Sequence, residues 1–218
     1  MKKYDTVVFD MDGTLLNTLE DLHDAMNYIL NRHGYPEKSL EEVRCAVGNG
    51  AGRFMRDMLP GGEQNPDYGK LLEEYGKYYQ SHAQIKTRPY QGNVELLERL
   101  KERGVRLAIV SNKGDASVKE LNRRYFGDLI ETAVGERPGI RRKPEPDSVL
   151  EALRVLGSSR ERAVYVGDSE VDYHTAANAG MACVLVSWGF RCRKQLEELG
   201  PEYIIDRPEE LLELLDAE

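Results

Sequence analysis

Apolar residues recur along this chain with two different periods, and the change from one to the other divides it. Val7-Val8-Phe9 is a short apolar run that ends in Asp10 and Asp12, with Gly13-Thr14 directly behind, the pattern of a buried strand closed by a turn. From Leu16 to about Thr87 the spacing is helical throughout. Thr18 followed by Asp21 is a capping signal, after which Leu22, Ala25, Met26, Ile29 and Leu30 share one face and Gly34 ends the helix. Ser39-Leu40-Glu41-Glu42 carries the same kind of box and opens a second helix that runs to about Val47. Gly48 to Gly52 breaks the pattern, and a short third helix is expected from Arg53 to Leu59. The longest helix runs from about Asp67 to His82. Its Tyr68, Leu71, Leu72, Tyr75, Tyr78 and Tyr79 form a stripe that reads as packed core rather than a stack for a ligand.

From Pro89 onward short apolar strands alternate with helices. Strands are expected at Val105–Val110, near Leu129–Val134, and at Ala163–Val166, Ala182–Val186 and Tyr203–Ile205. Helices lie between them, and one follows the last strand. Such alternation predicts an α/β fold: a doubly wound parallel sheet with helices on both faces. The purely helical stretch then reads as an insertion. Residues 1–15 and 88–218 are expected to form the α/β core and 16–87 an all-helical cap domain, with Leu16-Asn17 and Thr87-Arg88-Pro89 as the two connections.

Composition narrows the classes. The formal charge of −8 across 218 residues argues against nucleic acid or an anionic membrane as a partner, while leaving a small anionic substrate open. Cys45, Cys183 and Cys192 are odd in number and have no metal-ligand spacing, which points to a reducing cytoplasm without disulfides. The chain starts straight into a strand with no apolar leader, and no apolar run reaches the ~18 residues of a membrane span.

In doubly wound sheets, ligands bind beyond the carboxyl ends of the strands. The first strand delivers Asp10 and Asp12 there. Their like charges call for a shared proton or a hard cation such as Mg2+, unless the pair is only a polar turn. The strand ending at Val110 delivers Ser111-Asn112-Lys113, and the one ending at Val166 delivers Gly167-Asp168-Ser169 with Asp172 beyond. The loop Arg141-Arg142-Lys143-Pro144 adds a cation, with Lys143 favoured over its two arginine neighbours because it stands before a helix. Oxygens for a metal, donors for phosphate and a cation for developing charge together describe a Mg2+ and phosphate site. In the helical insertion, Gly48-Asn49-Gly50 can approach a ligand by backbone, and Arg53 can pair with a substrate carboxylate; an interhelical turn with a surface arginine fits equally.

Asp10-Met11-Asp12-Gly13-Thr14, Ser111-Asn112, Lys143-Pro144 and Gly167-Asp168-Ser169-Glu170-Val171-Asp172, in that order, resemble the motifs of the haloacid dehalogenase-like superfamily. The helical insertion resembles its C1-type cap. Val47-Gly48-Asn49-Gly50 and Ala176-Ala177-Asn178-Ala179-Gly180 resemble the phosphoglycolate phosphatase-like members. The resemblance implies a Mg2+-dependent phosphatase acting on a small phosphorylated metabolite through an aspartyl-phosphate. Asp10 would be the nucleophile and Asp12 the general acid and base. Asp10, the Asp12 carbonyl and Asp168 would hold the metal, with Asp172 contacting it or orienting its waters. Ser111, Asn112 and Lys143 would bind phosphate, although Ser111 could instead be a plain helix cap. Asn49 and Arg53 would read the leaving group, and the protein would be a monomer or homodimer. A phosphomutase of the β-phosphoglucomutase type, a pyrophosphatase, a nucleotidase and a non-enzymatic phospho-receiver module are the competing readings.

Overall fold

The computed structural model describes residues 4–216. In chain order the elements are β1 (Thr6–Phe9), β2 (Leu16–Asn17), α1 (Leu19–Arg32), α2 (Leu40–Ala46), α3 (Gly50–Met58), α4 (Tyr68–His82), β3 (Arg88–Pro89), α5 (Asn93–Glu102) and β4 (Arg106–Gly114). They continue with α6 (Asp115–Tyr125), β5 (Thr132–Glu136), α7 (Asp147–Leu156), β6 (Ala163–Gly167), α8 (Glu170–Ala179), β7 (Ala182–Val186), α9 (Arg193–Glu197), β8 (Tyr203–Ile205) and α10 (Glu210–Asp216).

Six strands form one sheet in the order β5-β4-β1-β6-β7-β8, and every neighbouring pair is parallel. β1 lies in the middle, where the winding direction reverses, and so its carboxyl end opens onto the crevice that this topology creates. Alternation along β1 feeds two cores. Val7 and Phe9 pack with Leu97 and Leu100 of α5, Leu121 of α6 and Leu211 of α10. Val8 packs on the opposite face with Val149 and Ala152 of α7 and Ala176 of α8. Both faces being covered explains why the strands are uninterrupted apolar runs.

A third apolar cluster belongs to the helices that follow β1. Met26 and Ile29 of α1, Val43 of α2, Met55 of α3 and Leu71, Tyr75 and Tyr79 of α4 meet there, joined by Phe190 from the loop after β7. The two connecting segments run side by side, with Leu16 opposite Pro89 and Asn17 opposite Arg88 in the antiparallel pair β2–β3. Buried Asn93 donates to the carbonyls of Thr14 and Leu15 at 2.9 and 3.1 Å and fixes the outgoing segment to α5.

Three local expectations shift. The Ser39 box forms as read, with Glu42 N donating to Ser39 Oγ and Ser39 N to Glu42 Oε2. The Thr18 box does not, because long-range partners take both side chains: Thr18 Oγ1 donates to Asp12 at 2.6 Å, and Asp21 accepts the backbone N–H groups of Lys86 and Thr87. α3 begins at Gly50 rather than Arg53, so two of the glycines expected in the break are helical. β4 extends past Val110 to Gly114, which pairs with Glu136 of β5 after a register shift; apolar periodicity carries no trace of that polar extension.

Met26 is fully buried among side chains of the helical cluster. Met26→Ala is expected to cost about 2–5 kcal/mol in urea unfolding; a loss below about 1 kcal/mol would mean that the cluster collapses around the gap.

Candidate active site

The carboxyl ends of β1, β4 and β6 and the loop before α7 bring their side chains to one place. Lys143 lies at its centre, 5% exposed, and its Nζ donates to Asp10 Oδ1 at 2.7 Å, Asp172 Oδ1 at 2.8 Å and the Tyr165 hydroxyl at 3.1 Å. Burial works against the ammonium, but Asp10 and Asp172 outweigh it and hold Lys143 above the usual lysine range. Burial pushes Asp10 well above the ordinary carboxylate range in spite of Lys143, and the charges of Asp172 and Asp168 add to the rise. Asp168 is lifted to about 7, first by burial and then by Asp172.

Asp172 behaves in the opposite way. Burial opposes its charge, but Lys143 and hydrogen bonds from Ser169 and Tyr165 hold it below the ordinary value. Its Oδ1 also accepts from Tyr165, and its Oδ2 accepts from the backbone of Asp168 and Ser169 and from Ser169 Oγ. With both oxygens occupied, Asp172 orients Lys143 and ties down the turn that carries Asp168.

Asp168 fits a slot. Thr14 Oγ1 and Phe190 N donate to its two oxygens at 3.1 and 2.7 Å. Gly13, at φ +92°, and Gly189 border the carboxylate so closely that a Cβ on either would collide with it. Asp10, Asp168 and Asp172 each offer an oxygen within 4.8 Å of the others. Three buried carboxylates around one lysine leave an excess of negative charge, and an all-oxygen donor set suits a hard divalent cation.

The other expected residues are distributed as follows. Ser111 lies inside β4 and not at a helix start, since α6 is capped at Gly114; the plain-cap alternative is overturned. Its Oγ accepts from Lys113 N and lies 3.4 Å from Asp12 Oδ2. Asn112 is a cross-link: its amide donates to the carbonyls of Gly48 and Lys143, and its oxygen accepts from Lys143 N. Asp12 accepts from Thr18 and pairs with Lys113 Nζ at 3.1 Å.

A cavity of about 240 Å³ opens above Asp10 and Asp12, walled on the far side by α3 and α4. Asn49 and Arg53, expected at a substrate, are not among the residues that line it. Because α3 starts at Gly50, helical periodicity puts Ala51 and Phe54 on the cavity wall and turns Arg53 away from it, where it is exposed and 4.0 Å from Asp57. Tyr75 and Tyr79 are core residues, as the stripe implied, but they also form the cavity wall. Arg141 and Arg142 are exposed in ion pairs, in keeping with the preference for Lys143 over them.

Two features are not picked out by the sequence pattern. Lys113 follows Ser111-Asn112 but has no motif of its own. The loop Trp188-Gly189-Phe190 follows β7, and its place at the carboxyl end of a strand was the available signal.

A family model of haloacid dehalogenase-like hydrolases matches residues 7–186. The chain belongs to this family. Phosphoglycolate phosphatase 1 of Pseudomonas aeruginosa is 32% identical over 217 residues, covering 96% of this chain and 79% of that one. The phosphoglycolate phosphatase of Aquifex aeolicus is 31% identical, with 96% of each chain covered. The crystal structure of a phosphoglycolate phosphatase candidate from Lactobacillus delbrueckii subsp. bulgaricus superposes with a TM-score of 0.94 at 36% identity, covering 100% of both chains. Among the described residues, no helix is long and apolar enough to cross a membrane.

The buried carboxylates predict a pH dependence for the metal-free protein. Asp168 is protonated up to about pH 7 in the folded chain but only to about pH 4 when unfolded, so folding binds a proton in this window and stability falls as pH rises through it. Asp10, also raised, acts in the same direction. Asp172, lowered, contributes stability above its unfolded value that is lost only as pH falls through its lower folded pKa. Urea unfolding without divalent cations is therefore expected to show stability decreasing from about pH 5 to 7.5. Asp168→Asn is expected to flatten that slope, and an unchanged slope would place the titration elsewhere.

Proposed function

We propose that this haloacid dehalogenase-like hydrolase is a Mg2+-dependent phosphatase that cleaves a small phosphate monoester through an aspartyl-phosphate on Asp10. The observation that carries this reading is Asp10, bridged by Lys143 to Asp172 and beside Asp168, lining a cavity together with Lys143 and a second carboxylate, Asp12. Relatives named phosphoglycolate phosphatase over nearly the whole chain support it and point to a small carboxylated ester as substrate.

The roles follow from the chemistry. Asp10 attacks phosphorus and the alkoxide leaves; Asp12 supplies its proton, then takes one from the water that hydrolyses the acyl phosphate. Lys143 keeps the Asp10 carboxylate oriented and offsets charge on the transferring phosphoryl group. Ser111 and the backbone after it donate to phosphate oxygens. Asp10 and Asp168 would hold Mg2+ together with the Asp12 carbonyl; when bound, the ion supplies positive charge that keeps Asp10 ionised and neutralises phosphate.

Residues 16–87 act as a cap hinged at the Leu16–Asn17 and Arg88–Pro89 pair. Their closure over the site is supported by Asn112 donating to Gly48 O, Lys113 to the Tyr79 hydroxyl and Arg191 to Val47 O. A closed cap excludes bulk water during the first displacement.

Release of inorganic phosphate from small esters is expected to require Mg2+ and to stop with chelator. Asp10→Asn is expected to lower kcat by at least about 10³-fold and to abolish the acid-stable [32P]phosphoprotein trapped from labelled substrate. Full activity in that variant would remove Asp10 as nucleophile, and interconversion of sugar phosphates without net release would favour the phosphomutase reading.

A further inference from the structure

The wall of the cavity opposite Asp10 is apolar, built from Leu22, Val47, Phe54 and the ring faces of Tyr75 and Tyr79. Polar groups placed in such a wall need partners. Tyr75 is 2% exposed, lines the cavity, and its hydroxyl has no hydrogen-bond partner among the described residues. Tyr79, one helical turn further along α4, stacks parallel to it with ring centroids 5.7 Å apart. Its hydroxyl accepts a hydrogen bond from Lys113 at 2.9 Å and so keeps its own O–H to give. Lys113 Nζ spends its other contact on Asp12 at 3.1 Å, leaving the third of its ammonium protons. Burial holds both phenols protonated, and Lys113 and Asp12 are near enough to Tyr75 for their charges to act on its hydroxyl.

Two phenolic donors and an ammonium in an apolar wall suit an anionic oxygen group, and weakly screened surroundings strengthen each bond to it. We propose that Tyr75, Tyr79 and Lys113 form an anion subsite that binds the carboxylate of the leaving alcohol, making this trio, and not Arg53, the determinant of substrate class. The ester it selects is short, with a carboxylate one or two carbons from the phosphoester oxygen. This subsite deepens the phosphatase reading and rests on it for which end of the ester faces Asp10.

The test is binding, read by calorimetry with Mg2+ on Asp10→Asn protein so that it does not depend on turnover. 2-Phosphoglycolate is compared with 2-hydroxyethyl phosphate, which has the same chain length and no carboxylate. The expected result is tighter binding of 2-phosphoglycolate, with Tyr75→Phe or Tyr79→Phe in that background reducing the preference tenfold or more. Both changes keep the aromatic ring, and thermal unfolding checks that each variant is folded. A preference that is absent, or that survives in both variants, overturns the subsite. A preference that disappears in the variants upholds it, even if the unsubstituted enzyme releases no phosphate from either ester, a result that would instead remove the phosphatase reading. Arg53→Ala is expected to leave the preference as it was, and its loss there would transfer the role to Arg53.

Discussion

A buried ammonium shared between two carboxylates organises the molecule. Lys143 could not remain charged at 5% exposure without Asp10 and Asp172, and their surroundings set the two carboxyl groups apart, Asp172 held below the ordinary value and Asp10 pushed above it. The arrangement draws on four separated pieces of chain: the end of β1, the loop before α7, the end of β6 and the first turn of α8. Asp172 is saturated with donors on both oxygens, while Asp10 takes its bond from Lys143 on Oδ1. The same logic separates Asp168 from Asp172 although they lie four residues apart. Asp172 is pinned by a backbone turn, and Asp168 is held in a slot between two glycines where two donors and Arg191 offset only part of the cost of its burial.

The helical layer completes the site without providing any of its carboxylates. It contributes the far wall of the cavity and a small number of polar ties to the core. Asn112 connects the floor to the wall directly, since one amide contacts Gly48 in the helical layer while also holding the backbone of Lys143. Movement of the helices relative to the sheet therefore changes the surroundings of the cavity floor and of its far wall together. Arg191 reinforces this coupling: it pairs with Glu170 next to the turn that carries Asp168 and donates to the carbonyls of Arg44 and Val47 at the end of α2.

The core motifs were legible in the sequence because each is local. A strand that ends in a charged or hydroxyl residue places that residue at the same rim, whatever the details of packing, and so Asp10, Asp12, Ser111, Asn112 and Asp168 arrive at one edge, joined there by Lys143 from the loop before α7 and Asp172 from the first turn of α8. The readings that shifted are those in which a side chain had both a local and a distant partner. Thr18 and Asp21 look like a capping pair, but each is taken by a group brought near only by folding. Arg53 has the right chemistry for a carboxylate, yet its direction was set by where α3 begins, and that start depends on glycines whose helical state periodicity could not foresee.

The sequence alone determined the period of each segment, and with it the doubly wound sheet, the helical insertion and the list of groups at the sheet edge. Those properties depend on short-range alternation of apolar and polar positions, which one chain records in full. Tertiary structure decided which of two adjacent carboxylates is charged, which face of α3 looks inward, and that Tyr75, Tyr79 and Lys113 meet across the gap between helices and sheet. These outcomes depend on burial and on distances between residues far apart in sequence, and both come into being only when the layers pack.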